Sequence, residues 1–310
     1  MPLQLYPVVV DRQVIQIIWL HHSHNHKLQC TEQGITHFGG PLFKQSLITK
    51  RMSGGASAAR AGGFDRHITI FSPDGRLYQV EYAFKAINAE SITSVAVRGP
   101  ECAVLISPRK LPDASSLVDP TTVTHLYKIT DAIGACVTGR VSDGIALISK
   151  ARSEAAEYEY EYGVPVPPEV LARRLANVNQ VATQKAAMRP LGVSITLAGV
   201  EEDGTVEVYR CDPAGYYVGY SAVATGPKAS EVMAAFERHL KNEMSVAEGE
   251  RLCFGSTVAE TVALGVRILQ ESLGTAFKAS ELEIGLVPKA DRVFRTYTES
   301  EVQAVLESIK

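Results

Sequence analysis

Apolar residues recur along the chain with two periods, near 2 and near 3.6 residues, which predict strands and helices respectively. The predicted strands are Thr93–Arg98, Cys102–Ser107, Val123–Ile129, Ile133–Thr138, Val193–Val200, Val206–Arg210, Tyr216–Ala224, Glu281–Val287 and Val293–Arg295. The predicted helices are Arg76–Ile87, Asp143–Tyr162, Pro168–Lys185, Ser230–Lys241, Thr257–Leu273 and Glu299–Ile309. Strands group with strands and helices with helices. This order favours two packed sheets with helix layers outside over a doubly wound parallel sheet.

The first of these helices follows Ser72–Gly75, which is both a turn signal and a helix-start signal. Ser72 can cap a helix, and Pro73 fits the first helical position. An apolar stripe at helical spacing follows, and two tyrosines share a neighbouring face. The stripe is Leu77, Val80, Phe84 and Ile87, and the tyrosines are Tyr78 and Tyr82. The pattern is compatible with a helix packed on its own domain and equally with a helix at an assembly interface.

Residues 1–51 differ in character from the rest of the chain. They carry a net charge of +3, whereas the other 259 residues carry −6, for a total of −3. The apolar stretch Val8–Leu20 is interrupted by Asp11 and Arg12 and is shorter than the ~20 residues that span a bilayer. The four histidines within His21–His26 have no carboxylate or thiolate beside them to complete a metal site. We interpret 1–51 as an atypical N-terminal extension, with Met52 as the working start. A mitochondrial leader is the alternative.

The next segment, 52–63, is made of small residues. It contains four Gly, four Ala and two Ser, and nothing large enough to bury. Such a segment does not offset the entropy lost on ordering. We therefore expect a flexible tail unless a partner holds it.

Composition and motifs exclude several functional classes. With 45% hydrophobic and 21% charged residues, the chain is neither disordered nor fibrous. The small net charge predicts no association with nucleic acid or with a membrane. Five dispersed cysteines without a C-x-x-C pair favour a reducing compartment. Signature motifs of phosphate-binding loops, zinc proteases and serine hydrolases do not occur, so no cofactor or metal ion is expected.

The segment Phe64–Ala83 resembles the N-terminal signature of the proteasome alpha-type subunits. It is long, almost ungapped and specific. Three further stretches agree with the family: Arg189–Val193, Asp212–Tyr217 and Ala224–Gly226. The resemblance extends over about 53–310 and is strongest to the alpha-1 (iota) class of the eukaryotic ring.

The resemblance implies an α+β fold, the four-layer αββα sandwich of the N-terminal-nucleophile hydrolase superfamily, over residues 64–310. The tail 52–63 would then point toward the axial pore of a seven-membered ring. Five residues match family positions that hold such tails in a gate, namely Phe64, Asp65, Arg66, Pro73 and Tyr82. Phe64 replaces the usual tyrosine, so it keeps the ring and loses a hydrogen-bonding hydroxyl.

The resemblance also implies that this chain is a non-catalytic member of a threonine-peptidase complex. Active relatives use an N-terminal Thr whose amine acts as the base. Here the matching strand opens inside the chain, at Ser91–Ser94. The positions of the catalytic Asp and Lys fall near Ser107 and His125. The alternative is an active threonine-type peptidase subunit, with Thr93 exposed by processing.

The partners implied are the other alpha subunits of the seven-membered ring, the beta-ring subunits, and regulatory particles of the 19S type and other activators. His125 stands where many alpha subunits use a Lys to bind activator tails, and an imidazole is a weaker, pH-dependent cation. The function expected is gating of substrate entry in ubiquitin-dependent and ubiquitin-independent protein degradation. The expected location is the cytoplasm and nucleus.

Overall fold

The computed structural model describes residues 5–10, 13–18, 70–110, 119, 122–243 and 254–309. The chain divides into two compact units, Met1–Gly55 and Ala56–Lys310. In the first unit, β1 (Leu5–Val10) and β2 (Gln13–Ile18) pair antiparallel, with Val10 opposite Gln13.

The second unit contains two five-stranded antiparallel sheets and six helices among its described residues. The strands are β3 (Ser94–Arg98), β4 (Cys102–Pro108), β5 (Leu126–Lys128), β6 (Ile133–Gly139), β7 (Val193–Val200), β8 (Val206–Cys211), β9 (Tyr217–Gly219), β10 (Ala222–Thr225), β11 (Leu282–Pro288) and β12 (Arg295–Thr296). The helices are α1 (Tyr78–Ala89), α2 (Val141–Tyr162), α3 (Pro168–Gln184), α4 (Ala229–Glu243), α5 (Val258–Leu273) and α6 (Glu299–Ile309).

Three apolar clusters make the unit a four-layer sandwich. The first sheet has the order β10-β3-β4-β11-β12, and the second has the order β5-β6-β7-β8-β9. One cluster lies between the two sheets and includes Leu105 and Phe294. A second packs α4, α5 and α6 on the first sheet, and a third packs α2 and α3 on the second. The predicted αββα layering is confirmed.

Several helix ends follow the sequence signals closely. Helix α2 ends at Tyr162 because Gly163 adopts a left-handed conformation (φ 71°) and its N–H bonds back to Glu159 O at 2.8 Å. Helix α3 starts with Pro168 at its first position, where a missing N–H is harmless. The predicted strand Val193–Val200 and helix Glu299–Ile309 match the structure at both ends.

Several predicted elements differ from the structure. β5 is shorter than the strand expected at Val123–Ile129, and β12 (Arg295–Thr296) replaces the strand expected at Val293–Arg295. The expected strand Tyr216–Ala224 is two strands, β9 and β10, which belong to different sheets, so the chain changes sheet at Tyr220 and Ser221. Gly219 and Ser221, which flank Tyr220, mark this corner in the sequence, and the predicted strand was extended across them. The helix expected from Arg76 begins at Tyr78. Ser72 and Pro73 form the predicted turn ahead of it, and they are neither its cap nor its first residue.

Candidate functional site

Helix α1 connects the two sheets at the end of the sandwich where β3 begins. It packs against β6 and β7 of the second sheet, and four residues join its C-terminus to β3 of the first. Ala83 and Ile87 are its buried residues. Phe84, predicted to lie in the apolar stripe, is instead 38% exposed. The buried face is therefore narrower than the sequence predicted, and an apolar side chain remains on the outer face.

Beneath this end of the sandwich lies a buried row of hydroxyl groups. Thr138 Oγ1 donates to Ser94 Oγ at 3.0 Å, a bond that joins the second sheet to the first. Ser94 Oγ and Ser107 Oγ are 3.1 Å apart and share another hydrogen bond. The thiol of Cys136 is next to the row, and burial raises its pKa to about 12. Neutral hydroxyls and a protonated thiol thus occupy the place where the resemblance located a catalytic carboxylate.

His125, the predicted activator contact, lies beside this row and is buried. Its backbone N–H donates to Glu283 Oε2 at 2.9 Å, and its carbonyl accepts from Val137 N. Burial lowers the pKa of its imidazole, against the opposing effect of Glu283 and Glu90. At neutral pH the imidazole is therefore uncharged, so in this conformation His125 supplies no cation.

Glu283 organises the backbone around His125. Besides the His125 N–H, its carboxylate accepts from Arg109 Nε at 2.9 Å and from Thr124 Oγ1 at 3.1 Å. A buried carboxylate needs such compensation. Glu283 had no predicted role. It is the one charged residue of β11, and an acid within an otherwise apolar strand is a signal that could have identified it.

A second carboxylate, Asp143, holds the loop on which α1 packs. Arg189 donates to both of its oxygens at 2.7 Å, and Gly192 N donates at 2.9 Å. These bonds lower the pKa of Asp143 to about 2. A Cβ on Gly192 would lie 3.2 Å from Ala86 Cβ, so the glycine permits the close approach of α1. The motif Arg189–Val193 was noticed in the sequence, but its contact with Asp143 was not foreseen.

Of the five predicted gate residues, Pro73 and Tyr82 are described. Pro73 is the second residue of a turn closed by Gly75 N to Ser72 O (2.9 Å), and Ser72 Oγ accepts from Arg76 N (3.1 Å). The 40% exposed ring of Tyr82 lies under Lys85 Nζ at 5.4 Å. Phe64, Asp65 and Arg66 lie outside the described residues, as does the tail 52–63. The gate roles of all five residues remain predictions.

Among the residues that the structure describes, no three His, Cys, Asp or Glu side chains are grouped so that they could hold a metal ion. Within the same part of the chain, no helix combines the length and apolar character needed to cross a membrane.

Comparisons with known proteins give a consistent result. A family model described as proteasome subunit matches residues 89–287, and a model of the N-terminal signature of A-type proteasome subunits matches residues 64–86. A probable proteasome subunit alpha type-1 of Schizosaccharomyces pombe is 48% identical, with 81% of this chain and 98% of the relative covered. The proteasome subunit alpha type-6 of Caenorhabditis elegans is 40% identical (83% and 98%). A proteasome subunit alpha of Aeropyrum pernix is 34% identical (80% and 93%).

The αββα sandwich, with α1 packed at the end where β3 begins, defines a protein with the N-terminal-nucleophile hydrolase fold. The chain belongs to the proteasome subunit family, and the signature it carries is that of the alpha type. Alpha-type subunits are generally the non-catalytic members of the proteasome. The comparisons therefore support a structural subunit of the outer ring of the 20S core and do not favour a catalytic one.

Proposed function

We propose that this chain is a non-catalytic subunit of a seven-membered alpha ring, in contact with other alpha subunits and with the beta ring. There it gates substrate entry and docks 19S-type regulatory particles and other activators. The process served is ubiquitin-dependent and ubiquitin-independent protein degradation in the cytoplasm and nucleus. The observation that carries this proposal is the hydroxyl row of Ser94, Ser107 and Thr138 beneath α1.

The chemistry of that row supports the absence of peptidase activity. A threonine peptidase needs a free N-terminal amine beside its hydroxyl and a group that lowers the proton affinity of that amine. Thr93 lies inside the chain, is 1% exposed, and its Oγ1 accepts a hydrogen bond from Lys228 N at 3.4 Å. The hydroxyls and the protonated Cys136 thiol provide no base at neutral pH.

The gate part of the proposal rests on the rigidity of the segment that follows the tail. The turn at Ser72–Arg76 is closed by three hydrogen bonds, and the side chain of Arg76 pairs with Glu81 on α1 through Nε to Oε1 at 2.8 Å. This turn fixes the point at which the chain enters α1, and the eight residues 64–71 separate it from the tail. A segment rich in Gly and Ala can then block a pore without folding itself.

Deletion of Ser53–Gly63 tests the gate in the assembled particle. We expect basal hydrolysis of a short fluorogenic peptide to rise severalfold, because an opening is no longer obstructed. A particle carrying Thr93→Ala serves as the matched control and should hydrolyse the peptide at the wild-type rate. Unchanged hydrolysis after the deletion contradicts the gating role, and a loss of hydrolysis in the Thr93→Ala particle contradicts the non-catalytic role.

Docking of regulatory particles is tested at His125. If the pocket includes this imidazole, His125→Ala lowers the stimulation of peptide hydrolysis by a 19S-type activator and leaves basal hydrolysis unchanged. His239→Ala, a substitution of the same size elsewhere on the chain, is the control. Equal stimulation of the wild-type and His125→Ala particles would show that activators dock without His125.

A further inference from the structure

The last turns of α2 carry an alternating series of acids and tyrosines that the proposed function does not use. The series is Glu157, Tyr158, Glu159, Tyr160, Glu161 and Tyr162. Tyr160 is 94% exposed, more than any other large apolar side chain in the described part of the chain. Its ring and hydroxyl therefore project into solvent from the side of the helix.

The two neighbouring tyrosines are held in place. The ring centres of Tyr158 and Tyr162 are 4.6 Å apart. The guanidinium of Arg174 on α3 lies 5.3 Å from the centre of the Tyr158 ring, in cation–π geometry. An enzyme that takes Tyr158 or Tyr162 into its active site must first break these contacts, which stabilise the pair. The ring of Tyr160 does not take part in this pair.

The backbone around Tyr160 can also leave the helix at low cost. Every residue from 159 to 165 is exposed, and the nearest fully buried residue of α2 toward its start is Ala155. Helix ends that bury little apolar surface open locally far more often than the whole domain unfolds. Gly163 already ends the helix one residue after Tyr162. An extended conformation centred on Tyr160 is thus accessible within the folded chain.

The charges around Tyr160 point to the kind of enzyme that would bind it. Glu157, Glu159 and Glu161 stand at positions −3, −1 and +1 relative to the tyrosine. Three carboxylates on one short segment are attracted to a groove lined with Lys and Arg. Glu161 Oε2 is 3.9 Å from Arg174 Nη2. This ion pair is too long and too exposed to solvent to neutralise the segment.

We propose that Tyr160 is a phosphorylation site for a protein tyrosine kinase with a basic substrate groove. The tyrosine oxygen attacks the γ-phosphorus of ATP, a new O–P bond forms, and the bond to the β–γ bridging oxygen breaks. ADP leaves and the phenolic proton passes to the base of the kinase. The product adds about −1.5 to −2 charges at neutral pH to a turn that already holds three carboxylates.

The test uses the folded full-length chain and an acid-preferring tyrosine kinase that labels all three tyrosines of the denatured chain. Phosphate is located by peptide mass spectrometry after short reaction times with ATP. We expect Tyr160 to be labelled in the folded chain at least about fivefold faster than Tyr158 or Tyr162, whose rings are stacked. In the denatured chain that difference should disappear.

Two variants make the assignment specific. Tyr160→Phe is expected to remove most of the phosphate incorporated by the folded chain, whereas Tyr162→Phe keeps at least half of it. Circular dichroism of both variants checks that α2 is intact, since each change removes only an exposed hydroxyl. Equal labelling of the three tyrosines in the folded chain, or incorporation unaffected by Tyr160→Phe, overturns the proposal. These measurements use the free chain and do not depend on the gating role.

Discussion

Asp143 and Arg189 form a bidentate ion pair. Arg189 Nη1 donates to Asp143 Oδ2 and Arg189 Nη2 donates to Asp143 Oδ1, each at 2.7 Å. Asp143 is 5% exposed and lies in the first turn of α2, while Arg189 lies in the loop between α3 and β7. Because Gly192 N donates to the same carboxylate, one buried acid fixes the arginine and the loop backbone together. The helix over the end of the sandwich therefore depends on an electrostatic contact that it does not itself make.

The first prediction concerns this pair. Asp143→Asn removes the charge and one acceptor, and we expect a loss of about 2 kcal/mol in unfolding free energy, the usual range for hydrogen bonds to charged groups. Urea unfolding followed by circular dichroism gives the value. Asp131→Asn removes an 84% exposed partner of Lys128 and should cost less than about 0.5 kcal/mol. Similar losses in the two variants would contradict the role assigned to Asp143.

The same substitution has a pH signature. The pKa of Asp143 falls from 3.8 to about 2 on folding, so the carboxylate stabilises the fold above pH 4. That contribution is lost as the pH falls toward 2, because the unfolded chain takes up the proton first. The wild-type chain should thus lose stability more steeply than Asp143→Asn between pH 4 and pH 2. Parallel curves in this window would be inconsistent with the lowered pKa.

The second prediction concerns His125. Burial lowers its pKa below 6.5, so below that pH the unfolded chain binds a proton that the folded chain resists. Stability therefore decreases as the pH drops below about 6.5 and levels off under the folded-state pKa. His125→Gln should flatten this part of the pH–stability curve, measured by urea midpoints.

The sequence alone identified most of the architecture because its apolar periods were regular. Val193–Val200 is buried along its whole length and was predicted without error at either end. The single strand predicted at Tyr216–Ala224 was wrong because the chain changes sheet at Tyr220 and Ser221, and the break signal of Gly219 was not used. The segment Ser72–Gly75 was predicted to be both a turn and a helix start, and only the turn is formed, with Pro73 at its second position.

The site was less predictable than the fold, for a physical reason. Ser94, Ser107 and Thr138 come from three strands, and only the stacking of two sheets brings their hydroxyls together. Asp143 and Arg189 are 46 residues apart, and no local pattern links them. The resemblance indicated which motifs mattered. The contacts between residues of different motifs form only in the folded chain, so the sequence does not show them.

The third prediction concerns the layer between the sheets. The ring of Phe294 occupies the space beside Gly134 and Gly285, one glycine from each sheet, where any Cβ would collide with it. Phe294→Ala leaves a cavity there, and we expect a loss of about 3–5 kcal/mol in unfolding free energy. Val293→Ala, at the adjacent 41% exposed position, should change stability by less than about 0.5 kcal/mol. Thermal or urea unfolding of the two variants and the wild type measures both losses of unfolding free energy.

The fourth prediction separates the two faces of α1. Ile87 is 3% exposed and Phe84 is 38% exposed, although both belong to the stripe predicted from the sequence. Ile87→Ala should raise hydrogen exchange throughout α1 and cost about 2–4 kcal/mol. Phe84→Ala should leave exchange in the free chain near the wild-type rate and should weaken assembly into particles, measured by gel filtration, if this face meets a neighbouring subunit. Faster exchange in Phe84→Ala would instead place that ring in the domain core.

The fifth prediction concerns three buried thiols. Burial raises the pKa of Cys102 to about 11 and those of Cys136 and Cys211 to about 12, so almost no thiolate is present at pH 7.5. Cys211 Sγ also donates to Ala172 O at 3.2 Å, which keeps its hydrogen in place. We expect iodoacetamide to leave all three unmodified in the folded chain for hours and to modify them within minutes in 8 M urea, roughly the concentration that unfolds most domains. Peptide mapping by mass spectrometry reads each site separately. Rapid labelling of Cys136 in the folded chain would mean that the end of the sandwich beneath α1 opens to solvent, and the hydroxyl row would then have to be regarded as an accessible pocket.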